Sequence, residues 1–192
     1  SRIVHRNKRL QVVNELIVLN NAKVYYSETP LNNTNYGSGQ NVSPTFTDAC
    51  EKTIHYYVVT DSYEPIMGYK TVTIKKKEVK ATAKDNSIVY GDEPSADGVT
   101  YDGFVEGDTA SKLNLEPTFT YTYNKYDDVG SYKIMPTVSD TANYTFKSVE
   151  GNLTVTHKPV TFTWSSEGFE YDASEKSVTA QVEGTVNNDI VT

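Results

Sequence analysis

Val79-Lys80-Ala81-Thr82-Ala83 alternates apolar and polar residues, and it is followed in order by Tyr90-Gly91-Asp92-Glu93-Pro94, Gly103-Phe104, Asp128-Val129-Gly130-Ser131-Tyr132, Asn143-Tyr144-Thr145-Phe146 and Gly151-Asn152-Leu153-Thr154-Val155. Period-two alternation is the pattern of a strand with one buried face, and Gly, Asp and Pro between such runs mark turns. The flanking parts of the chain read as imperfect copies of this stretch.

Composition agrees with a β-rich chain. The 192 residues include 15 Tyr and are only 37% hydrophobic, which suits half-buried pleated surfaces. A net charge of -7, from 18 Lys and Arg against 25 Asp and Glu, argues against nucleic acid or an anionic membrane surface as partner. No apolar run is long enough to insert in a membrane. No basic-then-apolar leader opens the chain at Ser1, so any export signal is expected to have been removed or to lie outside this segment. Cys50 is alone, which removes internal disulfides and predicts a small buried thiol.

Going outward from the centre, Ile3 to Val18 and Lys23 to Tyr26 are read as strands joined by a hairpin at Asn20-Asn21. Asn32 to Ser43 is an exposed loop. Its Asn32 and Asn41 triplets, like those at Asn143 and Asn152, are attributed to an Asn/Thr-rich composition. Thr53 to Val59 and Tyr69 to Ile74 are strands around a turn at Glu64-Pro65 and Gly68. Lys75 to Glu78 is a solvated linker, not a phosphate patch.

The chain repeats itself. Phe46-Thr47-Asp48-Ala49-Cys50 with Ile54, Tyr56 and Val58 parallels Tyr126-Asp127-Asp128-Val129-Gly130 with Tyr132, Ile134 and Val138. Tyr63, Gly68 and Thr71-Val72-Thr73 parallel Tyr144, Gly151 and Thr154-Val155-Thr156, and Val79 recurs as Val160, 81 positions on. A fixed period of this size predicts tandem small domains. The boundaries fall at 1–77, 78–157 and a partial third repeat, 158–192. Half a module exposes strand edges, so the third repeat is expected to pack on its neighbour or to mediate homo-oligomer contacts.

The expected fold is mainly β, with tandem small antiparallel modules, each an Ig-like β-sandwich. Asp128-x-Gly130-x-Tyr132 has the spacing of a tyrosine corner, with Ile134 as an apolar plug where antibody domains place a half-cystine. The alternative is a β-grasp-like α+β arrangement of the central module, with one short helix over Gly107 to Leu113 capped by Asp108.

Taken together, Tyr90, Gly91, Asp128, Gly130, Tyr132, Asn143, Tyr144 and Gly151 resemble the MBG domain of the YGX type, closely over Val79 to Thr156. Residues 1–74 are similar to a more distant bacterial Ig-like repeat. Tyr171-Asp172 with Asn188-Asp189 looks like the opening of a YDG-type repeat. The resemblance implies an exported, secreted or cell-surface, non-catalytic stalk or cell-adhesion segment of a bacterial protein.

Chemistry-bearing patterns are sparse. Cys50 and His55 lack a nucleophile turn and an oxyanion loop, so no catalytic residue is expected. Asp127-Asp128 with Asp92 and Asp108 could form a weak Ca2+ site, yet turn-forming Asp is the commoner role, and no cofactor or metal is expected. Tyr25, Tyr26, Tyr121 and Tyr123 are the candidate ligand contacts, since an aromatic face with a hydroxyl suits sugars. Candidate partners are the neighbouring repeats and a host or cell-wall glycan or protein. An accessory role beside a polysaccharide-degrading domain is a further reading.

Overall fold

The computed structural model describes residues 10–11, 22–165 and 168–190. The strands and hairpin expected over Ile3 to Asn21 lie outside these residues except for Leu10–Gln11, which forms β1. Contacts divide the chain into two units. One is Ser1–Lys77 with Asp140–Thr145, the other Glu78–Ser139 with Phe146–Thr192. Residues 158–192 group with the second unit.

In the first unit β1 pairs with β3 (Thr45–Phe46). A three-stranded antiparallel sheet places β4 (Cys50–Val59) between β2 (Lys23–Ser27) and β5 (Ile66–Ile74). As the central strand, β4 buries Ile54, Tyr57 and Val58. The loop from Asn32 is exposed but tied locally, because Asn32 Oδ1 accepts the amides of Thr34 (2.8 Å) and Asn35 (3.2 Å). Its 3-10 turn, Tyr36–Ser38, stacks Tyr36 on Tyr57 with ring centroids 4.9 Å apart. Gly68 was expected in a turn; it lies inside β5 opposite Tyr56, and an added Cβ there would meet Tyr56 Oη at 2.5 Å. Asn143 is wired into this unit. Its Oδ1 accepts Ala49 N–H (2.7 Å), its Nδ2 donates to Asp48 Oδ1 (2.9 Å), and its carbonyl accepts Lys77 N–H (2.8 Å).

The second unit is built from β6 (Lys77–Ala83), β7 (Asn86–Val89), β8 (Val99–Asp102), β9 (Thr118–Tyr121), β10 (Gly130–Thr137), β11 (Tyr144–Val149) and β12 (Gly151–Thr156), followed by β13 (Thr161–Trp164) and β14 (Ala180–Glu183). One sheet has the order β7-β12-β10-β9 and another β11-β6-β8. The alternating residues Val79, Ala81 and Ala83 are all buried. Ala83 joins Ile88, Tyr123, Ile134, Leu153 and Val155 in one core cluster, so side chains from both sheets meet, as in a sandwich. The fold is mainly β and Ig-like. It is not wholly antiparallel, because β12 runs parallel to β7, from Leu153↔Asn86 to Thr156↔Val89.

No α-helix occurs among the described residues, which removes the helical element of the β-grasp alternative. A single helical turn stands in its place. Within it Thr109 Oγ1 accepts Lys112 N–H at 3.2 Å, a capping bond. Asn114, at φ 50°, stops it: Leu115 N–H bonds Ala110 O (3.0 Å) and Asn114 N–H bonds Ser111 O (3.1 Å), the paired bonds of a Schellman ending.

The repeat extends to hydrogen-bond register. Adding 81 to the β6–β8 pairs Lys80↔Asp102, Ala81↔Tyr101, Thr82↔Thr100 and Ala83↔Val99 gives the β13–β14 pairs Thr161↔Glu183, Phe162↔Val182, Thr163↔Gln181 and Trp164↔Ala180. Loop bonds follow the same shift. Lys84 N–H to Gly98 O becomes Ser165 N–H to Thr179 O, and Asp108 N–H to Val105 O becomes Asp189 N–H to Val186 O. Between β4–β5 and β10–β12, Lys52↔Val72 matches Tyr132↔Leu153. Val72 therefore corresponds to Leu153 and not to Val155, a two-residue correction to the alignment expected from Thr71-Val72-Thr73.

Candidate functional site

The expected tyrosine corner is formed. Tyr132, near the start of β10, donates its hydroxyl to Asp128 O at 2.7 Å, and the following inward residue, Ile134, is fully buried. Burial is the first cause that raises the Tyr132 phenol above its ordinary value, with Asp127 and Asp128 adding to it. Gly130 has no special backbone requirement, and an added Cβ would meet nothing nearer than Tyr132 Cε2 at 3.8 Å. Gly151 is different: its Cβ would lie 2.5 Å from Ala83 O, so the absence of a side chain lets β12 approach β6.

Tyr90-Gly91 forms the turn that ends β7. Gly91 has φ 91° and Asp92 N–H bonds Val89 O at 3.0 Å, which places the glycine where a type II turn needs positive φ. The Tyr90 hydroxyl faces the Asp189 carboxylate, which holds its phenol above the ordinary range. Tyr144 is buried.

The four candidate contact tyrosines do not form one site. Tyr123 is only 2% exposed, with its ring edge-on to Tyr132 at 5.1 Å, so it is core and out of reach of a ligand. Tyr121 packs half-buried against the same cluster. Tyr25 meets Tyr36 edge to face at 5.1 Å. Tyr26 alone lines a groove, of about 200 Å3, with Ser27, Glu28, Ser38, Gln40 and Ile54.

Cys50 is half-buried, opens β4, and lies five residues from His55 on one strand. An odd separation puts the two on opposite faces, and His55 packs on Tyr69 at 5.8 Å. The acidic residues serve turns: Asp92 Oδ2 accepts Val89 N–H (3.2 Å) and Asp127 Oδ2 accepts Asn124 N–H (2.7 Å). Among the described residues no group of three or more His, Cys, Asp or Glu is placed to hold a metal ion.

A second groove, of about 290 Å3, lies within the second unit. Tyr90, Asp128, Val129, His157, Lys158 and Asp189 are on its walls. Motif reading missed it because its residues come from four separate segments. Beside it, the β13–β14 hairpin leaves Phe162 and Trp164 60% and 65% exposed on one face. The 81-residue shift maps them onto the buried Ala81 and Ala83.

These geometries meet in the comparison with known families. Residues 79–154 match the family model of the MBG domain (YGX type). That span begins at Val79, as the resemblance read from the sequence does, and includes the Tyr90-Gly91 turn, the Tyr132 corner and the Gly151 approach. A search of curated proteins gave no match. The MBG segment thus supplies most of the second unit, and the hairpin beyond it repeats the β6–β8 pairing register.

Proposed function

We propose that this chain is a non-catalytic structural and adhesive repeat segment, a stalk, of an exported bacterial cell-surface protein. The observation that carries the reading is the 81-residue shift that maps one set of strand pairs onto the next, around a segment that matches an MBG domain. Small sheet domains in series give length and mechanical resistance, which is what an element holding a binding region away from the envelope requires. The separation of Cys50 from His55 on opposite strand faces supports the absence of nucleophilic chemistry. Brief protease treatment of intact producing cells tests the proposal. Release of peptides from this chain without lysis is expected, and release only after lysis would sink it.

The groove beside Tyr26 favours a second reading, a module that binds a glycan or a protein loop through an aromatic wall edged by Gln40, Ser27 and Glu28. On a glycan array this reading requires binding that Tyr26→Ala removes. A uniformly silent array argues for the stalk alone.

A further inference from the structure

We infer that the groove walled by Asp128, Val129, His157 and Lys158 is a docking surface for an Asn-bearing loop of the Asp140–Thr145 type, supplied by another repeat of the same kind. The template for this interaction is inside the first unit. There Asn143 Oδ1 takes Ala49 N–H, its Nδ2 reaches Asp48 Oδ1, and its carbonyl takes Lys77 N–H. Asp140 approaches Lys76 at 3.6 Å.

Repeat position carries each of these four anchors to the second groove. Asp48 and Ala49 immediately precede Cys50, the first residue of β4, as Asp128 and Val129 precede Gly130, the first residue of β10. Lys76 and Lys77 stand three and two residues before Val79. His157 and Lys158 stand at the same distances before Val160, and β6–β8 and β13–β14 keep equal register across that shift. All four equivalents line one groove, although they come from two segments about thirty residues apart in sequence.

The groove also offers the right chemistry. In the first unit the loop satisfies two backbone donors and one carboxylate acceptor with a single asparagine. Among the described residues neither Val129 N–H nor Lys158 N–H has a hydrogen-bond partner, and the Asp128 side chain is exposed. An asparagine presents one acceptor oxygen and one donor amide on its side chain and a further acceptor on its carbonyl, which complements that set. A lysine or a carboxylate in its place would leave one or more of the three unmatched. The inference rests on the tandem-repeat reading and not on export or adhesion.

A cyclic peptide of sequence Asp140-Thr141-Ala142-Asn143-Tyr144-Thr145-Phe146, titrated to millimolar concentration into the isotope-labelled full chain, tests it. Saturable shifts of the Val129 and Lys158 amide resonances are expected, with no shift at Ala49 and Lys77, whose positions are already filled. The peptide carrying Asn143→Ala should shift none of them, and Asp128→Ala in the protein should weaken binding roughly tenfold, the loss expected for one hydrogen bond to a charged acceptor. Absence of saturable shifts at Val129 and Lys158, or equal shifts with the Asn143→Ala peptide, overturns the docking site. Either result leaves the surface-protein proposal to be decided separately by the protease experiment on intact cells.

Discussion

The Tyr132 hydroxyl reaches back four residues to the Asp128 carbonyl at 2.7 Å, and in doing so it fixes the entry of β10 into the sheet. Tyr132→Phe keeps the ring and deletes the bond. A lower denaturation midpoint with an unchanged denaturant slope is expected, since the carbonyl loses its partner while the compactness of the fold is retained. An unchanged midpoint would show that the corner does not contribute to stability.

Gly151 and Gly130 separate two reasons for a glycine. Gly151→Ala drives a Cβ to 2.5 Å from Ala83 O, where backbone blocks backbone, and should cost about 1–3 kcal/mol as overpacking does. Gly130→Ala meets only a ring carbon at 3.8 Å and should change stability by less than about 0.5 kcal/mol. Chemical denaturation of the two variants side by side reads the difference directly.

Tyr101 predicts the opposite sign from Tyr132. Its hydroxyl is buried without a hydrogen-bond partner, between Phe104 and Phe146 at ring distances of 5.7 Å and 6.1 Å. Tyr101→Phe should therefore be neutral or stabilising by up to about 1 kcal/mol, because it removes an unmet polar group and keeps the aromatic contacts.

Alkaline pH gives an independent check. Burial raises the Tyr101 and Tyr121 phenols from the ordinary value of 10.0, so the unfolded chain loses these protons first. Their contribution is intact below pH 10 and falls as pH climbs through the higher folded values. Tyrosinate absorbance should show a late class of tyrosines that ionises together with loss of the β signal, and one fewer in Tyr101→Phe. Ionisation of all tyrosines in a single early step would contradict this.

A buried apolar position and an exposed one should respond differently. Ile134→Ala empties a fully buried site and should cost about 2–5 kcal/mol. Trp164→Ser, at a position 65% exposed, should stay within about 0.5 kcal/mol by the same melting measurement.

Local signals made much of this fold legible. The alternation of Val79, Ala81 and Ala83 gave β6 and its buried face, and the Asp128–Tyr132 spacing gave the corner with Ile134 behind it. Pairing between distant segments was not legible: Leu153 joins Asn86 in parallel across a separation that leaves no local period. Tyr123 shares the parity of Tyr121, which suggested one exposed pair. That shared face is the core side: Phe119 and Tyr121 pack half-buried against the cluster in which Tyr123 is buried. Gly68 read as a turn because glycine usually marks one, whereas here it makes room for the Tyr56 ring.

The parallel alignment of β7 and β12 has a mechanical consequence. Tension that enters on the β7 side and leaves past Thr156 pulls these two strands lengthwise in opposite directions. The bonds spanning Leu153↔Asn86 to Thr156↔Val89 are then loaded abreast and must give way together. A pair peeled from one end would instead release them singly, at far lower force.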